Sequence, residues 1–365
     1  MKICFVVGTR PELIKMAPVI KETQNKKINF FMIHTNQHYS DNLSKIFLKE
    51  LKIPKPKYHL KIDYPPRQGA MTGLMLEKIE DILLKEKPDI VLVEGDTNSV
   101  LAGALAAVKL NIPVGHIEAG LRSYDRQMPE EINRIIVDHC SDLLFAPTKI
   151  AANILENEGI DREKIFITGN TIVDAVFIFL KIALSKSKVL KNLKLKKENY
   201  ILATIHRAEN VDNKNRLQKI LNSLREVHQK TNLKIILPLH PRTKKRIEEF
   251  SLQIPNGVEV INPLGYFDFL VLEKYARIIL TDSGGVQEEA CILKVPCVTL
   301  RDNTERPETV EVGSNIIVGV EPEKVLMAVD KMLKSQKQWK NPFGDGKSAK
   351  RIVNIIERYS KNFKK

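Results

Sequence analysis

Residues 277–293 read RIILTDSGGVQEEACIL. An apolar strand runs into Ser283-Gly284-Gly285 and then into a segment of helical period. Two glycines let the backbone approach a ligand closely, and the first N–H groups of the helix stand unsatisfied at its positive end. A phosphate suits that place. A plain strand–helix turn with Ser283 as its N-cap fits the same residues. Glu289 follows Ser283 by six positions, about 9 Å along a helix rising 1.5 Å per residue, a span that fits the distance from a phosphate to the paired hydroxyls of a ribose. No GxGxxG is present, which disfavours NAD.

The same strand–turn–helix rhythm extends through the chain. In the first half, strands are expected at 2–7 (KICFVV), 89–94 (DIVLVE) and 113–118 (PVGHIE), with further strands beginning at 142 and 164. Helices are expected from Pro11 to about Lys26 and over 98–110, 130–140 and 148–158. In the second half, strands are expected at 200–205, 234–239, 257–261, 277–281 and 295–300. Helices are expected near 214–230, 242–250, 267–275, 284–293 and 322–334. Such alternation implies an α/β fold of parallel sheets covered on both faces. The expected organisation is two doubly wound, Rossmann-like domains facing a cleft: an N-terminal domain over 1–185, a Lys-rich connection over 186–199 and a C-terminal, nucleotide-binding domain over 200–346. A last helix over 347–363 is expected to pack back on the first domain. Carboxyl ends of strands are where open α/β sheets bind ligands.

Bulk composition narrows the partners. The 365 residues carry a formal net charge of +14, which favours an anionic ligand. Aromatics are only 6%, a poor supply of stacking platforms for single-stranded nucleic acid, so no nucleic-acid partner is expected. The N-terminal apolar run stops at Gly8 and reads as a strand rather than a signal peptide. No stretch approaches the roughly 20 apolar residues that span a bilayer. Four Cys without a CxxC pair read as free thiols in a reducing cytosol, so a cytoplasmic location away from membranes is expected.

Several polar residues stand where strands end. Arg10, before Pro11 at a helix start, and Lys15, a turn further on, suit a diphosphate. Asp96, Glu118 and His206 each follow a strand. Glu130 and Glu131 follow Pro129, where a carboxylate either serves chemistry or complements the helix dipole. His116, Glu118 and Asp96 imitate a metal set, but no HExxH or comparable spacing supports one, so neither metal nor cofactor is expected.

The motifs GTRPE (8–12) with Lys15, EGDTNS (94–99), GHIEAGLRS (115–123), MPEEINR (128–134), HRAEN (206–210), LTDSGGVQEEA (280–290) and RDNTERPE (301–308) together resemble the non-hydrolysing UDP-N-acetylglucosamine 2-epimerases over nearly the whole chain. The resemblance implies a glycosyltransferase-B type fold, a homodimer, and interconversion of UDP-N-acetylglucosamine with UDP-N-acetylmannosamine. It assigns Arg10, Ser283, Gly284, Gly285 and Arg306 to the diphosphate, Glu289 to the ribose, and Leu264 and Phe269 to the uracil pocket. Lys15, Asp96, Glu118, Glu130 and His206 would surround the sugar and carry the chemistry, with Glu130 chosen over Glu131 as the first Glu after the proline. Bacterial members also bind a second, activating substrate molecule, and Gln37, Arg67, Gln68, Arg207 and His240 match that site. QHYSDNL at 37–43, with Ser40, departs from the family's common QHREML.

The reaction explains the residue types. The C2–H of the sugar is not adjacent to a carbonyl, so deprotonation alone has no enolate to absorb the charge. Breaking the C1–O bond to UDP acidifies C2–H and gives a glucal, to which UDP re-adds. Cations for the leaving diphosphate and carboxylates for C2 are what this path requires. A glycosyltransferase of the same fold, a hydrolysing epimerase and a catalytically dead nucleotide-sugar sensor are the rivals. Incubation with UDP-N-acetylglucosamine alone separates them by product.

Overall fold

The computed structural model describes residues 1–37, 48, 50–62, 65 and 67–362. Ser40 and most of the 37–43 stretch fall outside those residues, as does the end of the expected 347–363 helix. The chain divides into two compact units, Met1–Phe177 joined by the segment from Phe343 onward, and Ile178–Pro342.

Unit 1 begins with β1 (Lys2–Val7), α1 (Arg10–Asn25), β2 (Asn29–His34), β3 (Tyr58–His59) and α2 (Gln68–Glu86). It continues through β4 (Ile90–Glu94), α3 (Asn98–Lys109), β5 (Val114–Ile117), α4 (Pro129–Cys140), β6 (Leu143–Ala146), α5 (Lys149–Asn157) and β7 (Ile165–Ile167). The sheet order is β3-β2-β1-β4-β5-β6-β7, all parallel, so the topology reverses between β1 and β4. Strands buried on both faces are continuous apolar runs, and Ile3 to Val7 and Val91 to Val93 are fully buried. Met75, Ile79 and Leu83 of α2 pack on one face with Val6, Ile33 and Val91.

The units divide within α6 (Thr171–Lys186), and the Lys-rich 186–199 stretch lies in unit 2, where it forms α7 (Val189–Asn192) with Val189 buried. Unit 2 then runs β8 (Tyr200–Thr204), α8 (Ala208–Val211), α9 (Lys214–Thr231), β9 (Lys234–Pro238), α10 (Pro241–Glu249), β10 (Val258–Ile261) and α11 (Tyr266–Tyr275). β11 (Ile278–Thr281), α12 (Gly284–Leu293), β12 (Cys297–Thr299), α13 (Pro307–Glu311), β13 (Asn315–Ile317) and α14 (Pro322–Leu333) complete it. Its parallel sheet has the order β10-β9-β8-β11-β12-β13, with the same reversal next to its first strand.

The last helix, α15 (Ser348–Asn362), belongs to unit 1. Asp174 accepts from the backbone N–H groups of Ser348 (3.1 Å) and Ala349 (3.0 Å), satisfying donors that a helix start leaves open. Lys26 at the end of α1 donates to Asn354 (2.7 Å) and pairs with Glu357.

Gly8 ends β1 under a close side-chain pair. A Cβ there would lie 2.0 Å from Ser99 Oγ and 2.3 Å from Thr35 Oγ1, which are themselves 2.7 Å apart. We expect Gly8→Ala to lower stability by about 1–3 kcal/mol, the usual cost of overpacking, read as a lower urea midpoint by circular dichroism with an unchanged slope.

Candidate active site

In unit 1 the site grows from three strand ends. After β1, Thr9 is the N-cap residue of α1 and Glu12 stands at its third position, the spacing of a capping box. Glu12 accepts from Gly8 N–H (2.7 Å) and Thr9 Oγ1 (2.8 Å), which fixes the turn carrying Arg10. Burial pushes the Glu12 carboxyl up to about 7, against the lowering effect of these hydrogen bonds and one to Thr97.

Lys15, one turn into α1, is buried and its ammonium contacts Glu118, with Glu94 Oε1 at 3.5 Å. Glu94 ends β4 and Glu118 follows β5, strands adjacent in the sheet. Burial drives the Glu94 carboxyl well above the ordinary range although Lys15 opposes it. Glu118 has φ +72°, a left-handed backbone that costs a side-chain-bearing residue about 1–3 kcal/mol and that turns its carboxyl back toward Lys15. Asn170 Nδ2 lies 3.4 Å from the same carboxyl.

Asp96, beyond Gly95 with its φ of +83°, is held by Arg134 Nε at 2.9 Å and keeps 27% of its side chain exposed. Arg134 also binds Glu131, which accepts from Ser123 N–H (2.9 Å) and Tyr124 N–H (2.9 Å) and is buried. Glu131 therefore builds the loop, while its neighbour Glu130 is half-exposed. His116 faces oxygen acceptors at both ring nitrogens, Asp138 Oδ1 at 2.7 Å and Gly95 O at 2.8 Å, so it offers no lone pair toward Asp96 or Glu118. Among the described residues no three His, Cys, Asp or Glu side chains gather as metal ligands.

Gln37 Oε1 accepts from Ser99 N–H (3.1 Å) and Ser99 Oγ (2.7 Å). Gln68 accepts from Asn98 (2.6 Å), and Asn133 donates to Asp96 O (2.9 Å) and lies 3.3 Å from Asn98 Oδ1. Gln37 and Gln68 thus connect with the start of α3 beside Asp96, whereas Arg67 is exposed at the N-cap of α2.

Unit 2 repeats the device with a different ion. Asp282 follows β11 and is fully buried. It accepts from the backbone N–H of His206 (3.0 Å) and Arg207 (3.0 Å) and from Asn210 Nδ2 (3.2 Å), and it lies 3.1 Å from His206 Nδ1. Burial alone would raise the Asp282 carboxyl; His206 and these donors outweigh it and hold it below the usual range. The His206 side chain remains 38% exposed, oriented by Asp282 and 5.8 Å from the His240 ring.

Ser283 occupies the N-cap position of α12 without a side-chain capping bond. A Cβ on Gly285 would meet open space and one on Gly284 only Glu305 at 3.7 Å, so no neighbouring side chain of the chain itself crowds these glycines. Arg306 is buried with Nε 2.5 Å from Glu288 Oε1. Glu305 binds Arg301 at 2.8 Å and approaches Arg207 at 3.6 Å. Glu289, buried, accepts from Tyr266 Oη at 2.9 Å. Leu264 and Phe269 are half-buried before and on α11.

Sequence reasoning gave no role to Glu12, Glu94, Arg134 or Asp282. Asp282 follows a strand just as Asp96 does, so the same rule would have found it. The pairing of Arg134 with Asp96 joins residues far apart in the chain and has no local signal.

This is the architecture of a two-unit, glycosyltransferase-B-like α/β protein with an oriented histidine in one unit and strand-end carboxylates around a lysine in the other. The chain belongs to the UDP-N-acetylglucosamine 2-epimerase family, whose model matches residues 21–357. It is 58% identical over 361 residues to the UDP-N-acetylglucosamine 2-epimerase of Methanococcus maripaludis, covering 97% of this chain and 98% of that one. It is 43% identical to the UDP-2,3-diacetamido-2,3-dideoxy-D-glucuronate 2-epimerase of Pseudomonas aeruginosa, over 98% of this chain and all of that one. The crystal structure of the Methanocaldococcus jannaschii UDP-GlcNAc 2-epimerase, in complex with UDP-GlcNAc and UDP, superimposes with a TM-score of 0.94 at 56% identity, over 98% of this chain and all of that one. Among the described residues no helix is long and apolar enough to cross a membrane.

The raised Glu12 carboxyl has a signed consequence. Native protein holds a proton there that the unfolded chain releases above its ordinary value of 4.5. That contribution is fully present below pH 4.5 and is lost as pH rises to about 7, a change of roughly 3 kcal/mol. Glu12→Gln should flatten this part of the stability profile, measured by urea unfolding at a series of pH values.

Proposed function

We propose that the chain reversibly epimerises UDP-N-acetylglucosamine at C2, giving UDP-N-acetylmannosamine, by elimination and re-addition of UDP without hydrolysis. The observation that carries this reading is the pair of carboxylates that follow the neighbouring strands β4 and β5, Asp96 held by Arg134 and Glu118 in contact with the buried ammonium of Lys15. In the forward half-reaction a carboxylate takes the C2 proton, the C1–O bond breaks, and its electron pair leaves with the β-phosphate of UDP. The C2–H electrons become the C1=C2 bond of a 2-acetamidoglucal. In the return half, the glycal double bond takes a proton at C2 on its other face, and the phosphate oxygen re-forms the bond to C1.

We assign Asp96 to the C2 proton. Its carboxylate is ion-paired yet partly exposed, so it is fixed in position and open to substrate. Glu118 and Glu130 share the opposite role. His206, steadied by Asp282, assists the departing phosphate oxygen; Arg10, Arg306 and the Gly284–Gly285 amides stabilise its charge, and Glu289 takes the ribose. Gln37, Arg67, Gln68, Arg207 and His240 are the residues that would take a second, activating substrate molecule. A hydrolysing reaction would instead deliver water to C1 and release UDP with free N-acetylmannosamine. The higher identity to the N-acetylglucosamine enzyme than to the diacetamido-glucuronate enzyme favours the simpler sugar.

Proton NMR of UDP-N-acetylglucosamine incubated with the protein in deuterium oxide tests all of this together. The expected result is UDP-N-acetylmannosamine, deuterium at C2 of both isomers, and an equilibrium reached from either side. Free N-acetylmannosamine would establish the hydrolysing reaction instead. Asp96→Asn should slow both isomerisation and C2 exchange by about 10²-fold or more, the scale of a lost acid–base group. Undiminished exchange would remove Asp96 from the proton-transfer role.

A further inference from the structure

Arg306 lies between β12 and α13, with a backbone that is neither helical nor extended (φ −125°, ψ 55°). Two threonines hold that backbone from either side. Thr304 Oγ1 accepts from Arg306 N–H (3.0 Å), and Thr309 Oγ1 donates to Arg306 O (2.8 Å). Each threonine is held in turn by one of two buried amides. Thr304 Oγ1 donates to Gln287 Oε1 (2.7 Å), and Thr309 Oγ1 accepts from Asn315 Nδ2 (3.0 Å). Asn315 Nδ2 also donates to Gln287 Oε1 (3.1 Å), which joins the two amides and closes a ring. Asn315 Oδ1 accepts from Thr299 Oγ1 (2.8 Å) at the end of β12.

The direction of every bond in this ring is consistent. Each threonine hydroxyl gives its one proton and accepts another, and Asn315 uses both of its N–H donors and its oxygen. Gln287 commits its oxygen to two donors, while its own NH2 has no hydrogen-bond partner among the described residues. A buried donor left unmade is destabilising, and an apolar residue at 287 would avoid that penalty. The amide therefore serves through its oxygen, at the junction of the ring. Gln287 belongs to α12, whose first turn carries Gly284 and Gly285. The ring thus ties the Arg306 backbone to the helix of the glycine turn. The Arg306 side chain is fixed separately from the next position of that helix, with Nε 2.5 Å from Glu288 Oε1.

We propose that Gln287 and Asn315 are positioning residues for the diphosphate: as one amide pair they hold the Arg306 backbone in register with the Gly284–Gly285 turn, so that the guanidinium and the helix amides meet the same diphosphate. This rests on the reading of Arg306 and the glycine turn as the diphosphate site. Neither amide need touch the ligand.

The test is equilibrium titration of the full chain with UDP and with uridine, which lacks both phosphates. The proteins are wild type, Asn315→Leu, Gln287→Leu, Arg306→Ala, and Gln287→Leu combined with Arg306→Ala. Gln287→Leu also removes the NH2 that lacks a partner, and it carries the test should Asn315→Leu fail to fold. The quantity read is the preference for UDP, the ratio of the two dissociation constants. We expect each amide variant to shrink that preference about 10-fold, the scale of one hydrogen bond to a charged group, with uridine affinity unchanged. Arg306→Ala should shrink it at least as far. Adding Gln287→Leu to Arg306→Ala should then cost nothing more, because a positioning residue acts through the group it positions. An intact preference for UDP in the folded amide variants overturns the proposal. So does a fall in uridine affinity equal to that for UDP, which marks general loss of structure, and so do additive losses in the double variant. An unchanged preference in Arg306→Ala overturns the diphosphate reading of Arg306 itself.

Discussion

The ammonium of Lys15 is the charge around which unit 1 is arranged. It enters from the first helix and meets carboxyls leaving two neighbouring strands, Glu94 from β4 and Glu118 after β5. A buried carboxylate is tolerated only beside a compensating charge or strong donors. The ammonium contacts Glu118, with Glu94 3.5 Å away, and burial pushes the Glu94 carboxyl up in spite of the lysine. The left-handed backbone at Glu118 is the local cost of bringing its carboxyl to the lysine.

Unit 2 solves the same problem with donors instead of a lysine. Asp282 lies as deep as Glu94, yet it stays ionised because two backbone N–H groups, an amide and an imidazole converge on it. Glu273 is equally buried, with no hydrogen-bond donor among the described residues, and burial pushes its carboxyl the other way, well above the ordinary range. Burial is common to these acids; the donors and charges around each decide the direction of its shift. The two parallel sheets make this repetition natural, because each strand's carboxyl end delivers its next residues to the same edge of its sheet.

How much of this was legible follows from the range of each interaction. Continuous apolar runs such as KICFVV and IVLVE announced buried parallel strands, and Gly284-Gly285 before an apolar helix announced the turn. β3 and β13, of two and three residues, were not anticipated, although β7 and β12 are as short as β13 and were. The helix α2 was hidden because Gly69 and Gly73 weaken helix propensity in its first turns, where only the later LMLEKIEDILL pattern is periodic. Candidate acids were visible as polar residues at strand ends, but their partners were not. Those are brought from elsewhere in the chain, as Arg134 is to Asp96 and Asn210 to Asp282.

The same rule orders the chemistry proposed for the sugar. A proton acceptor at C2 must be accessible and fixed, which suits Asp96: Arg134 holds it in place while part of its side chain faces solvent. Glu131, three residues after Met128, has the more complete set of hydrogen bonds, and for that reason is committed to holding the Ser123–Tyr124 loop rather than to reacting. Glu130, at the same helix start, is half-exposed. A carboxylate wholly satisfied by its own protein has little left to offer a substrate; one held by a single arginine keeps an oxygen in reserve.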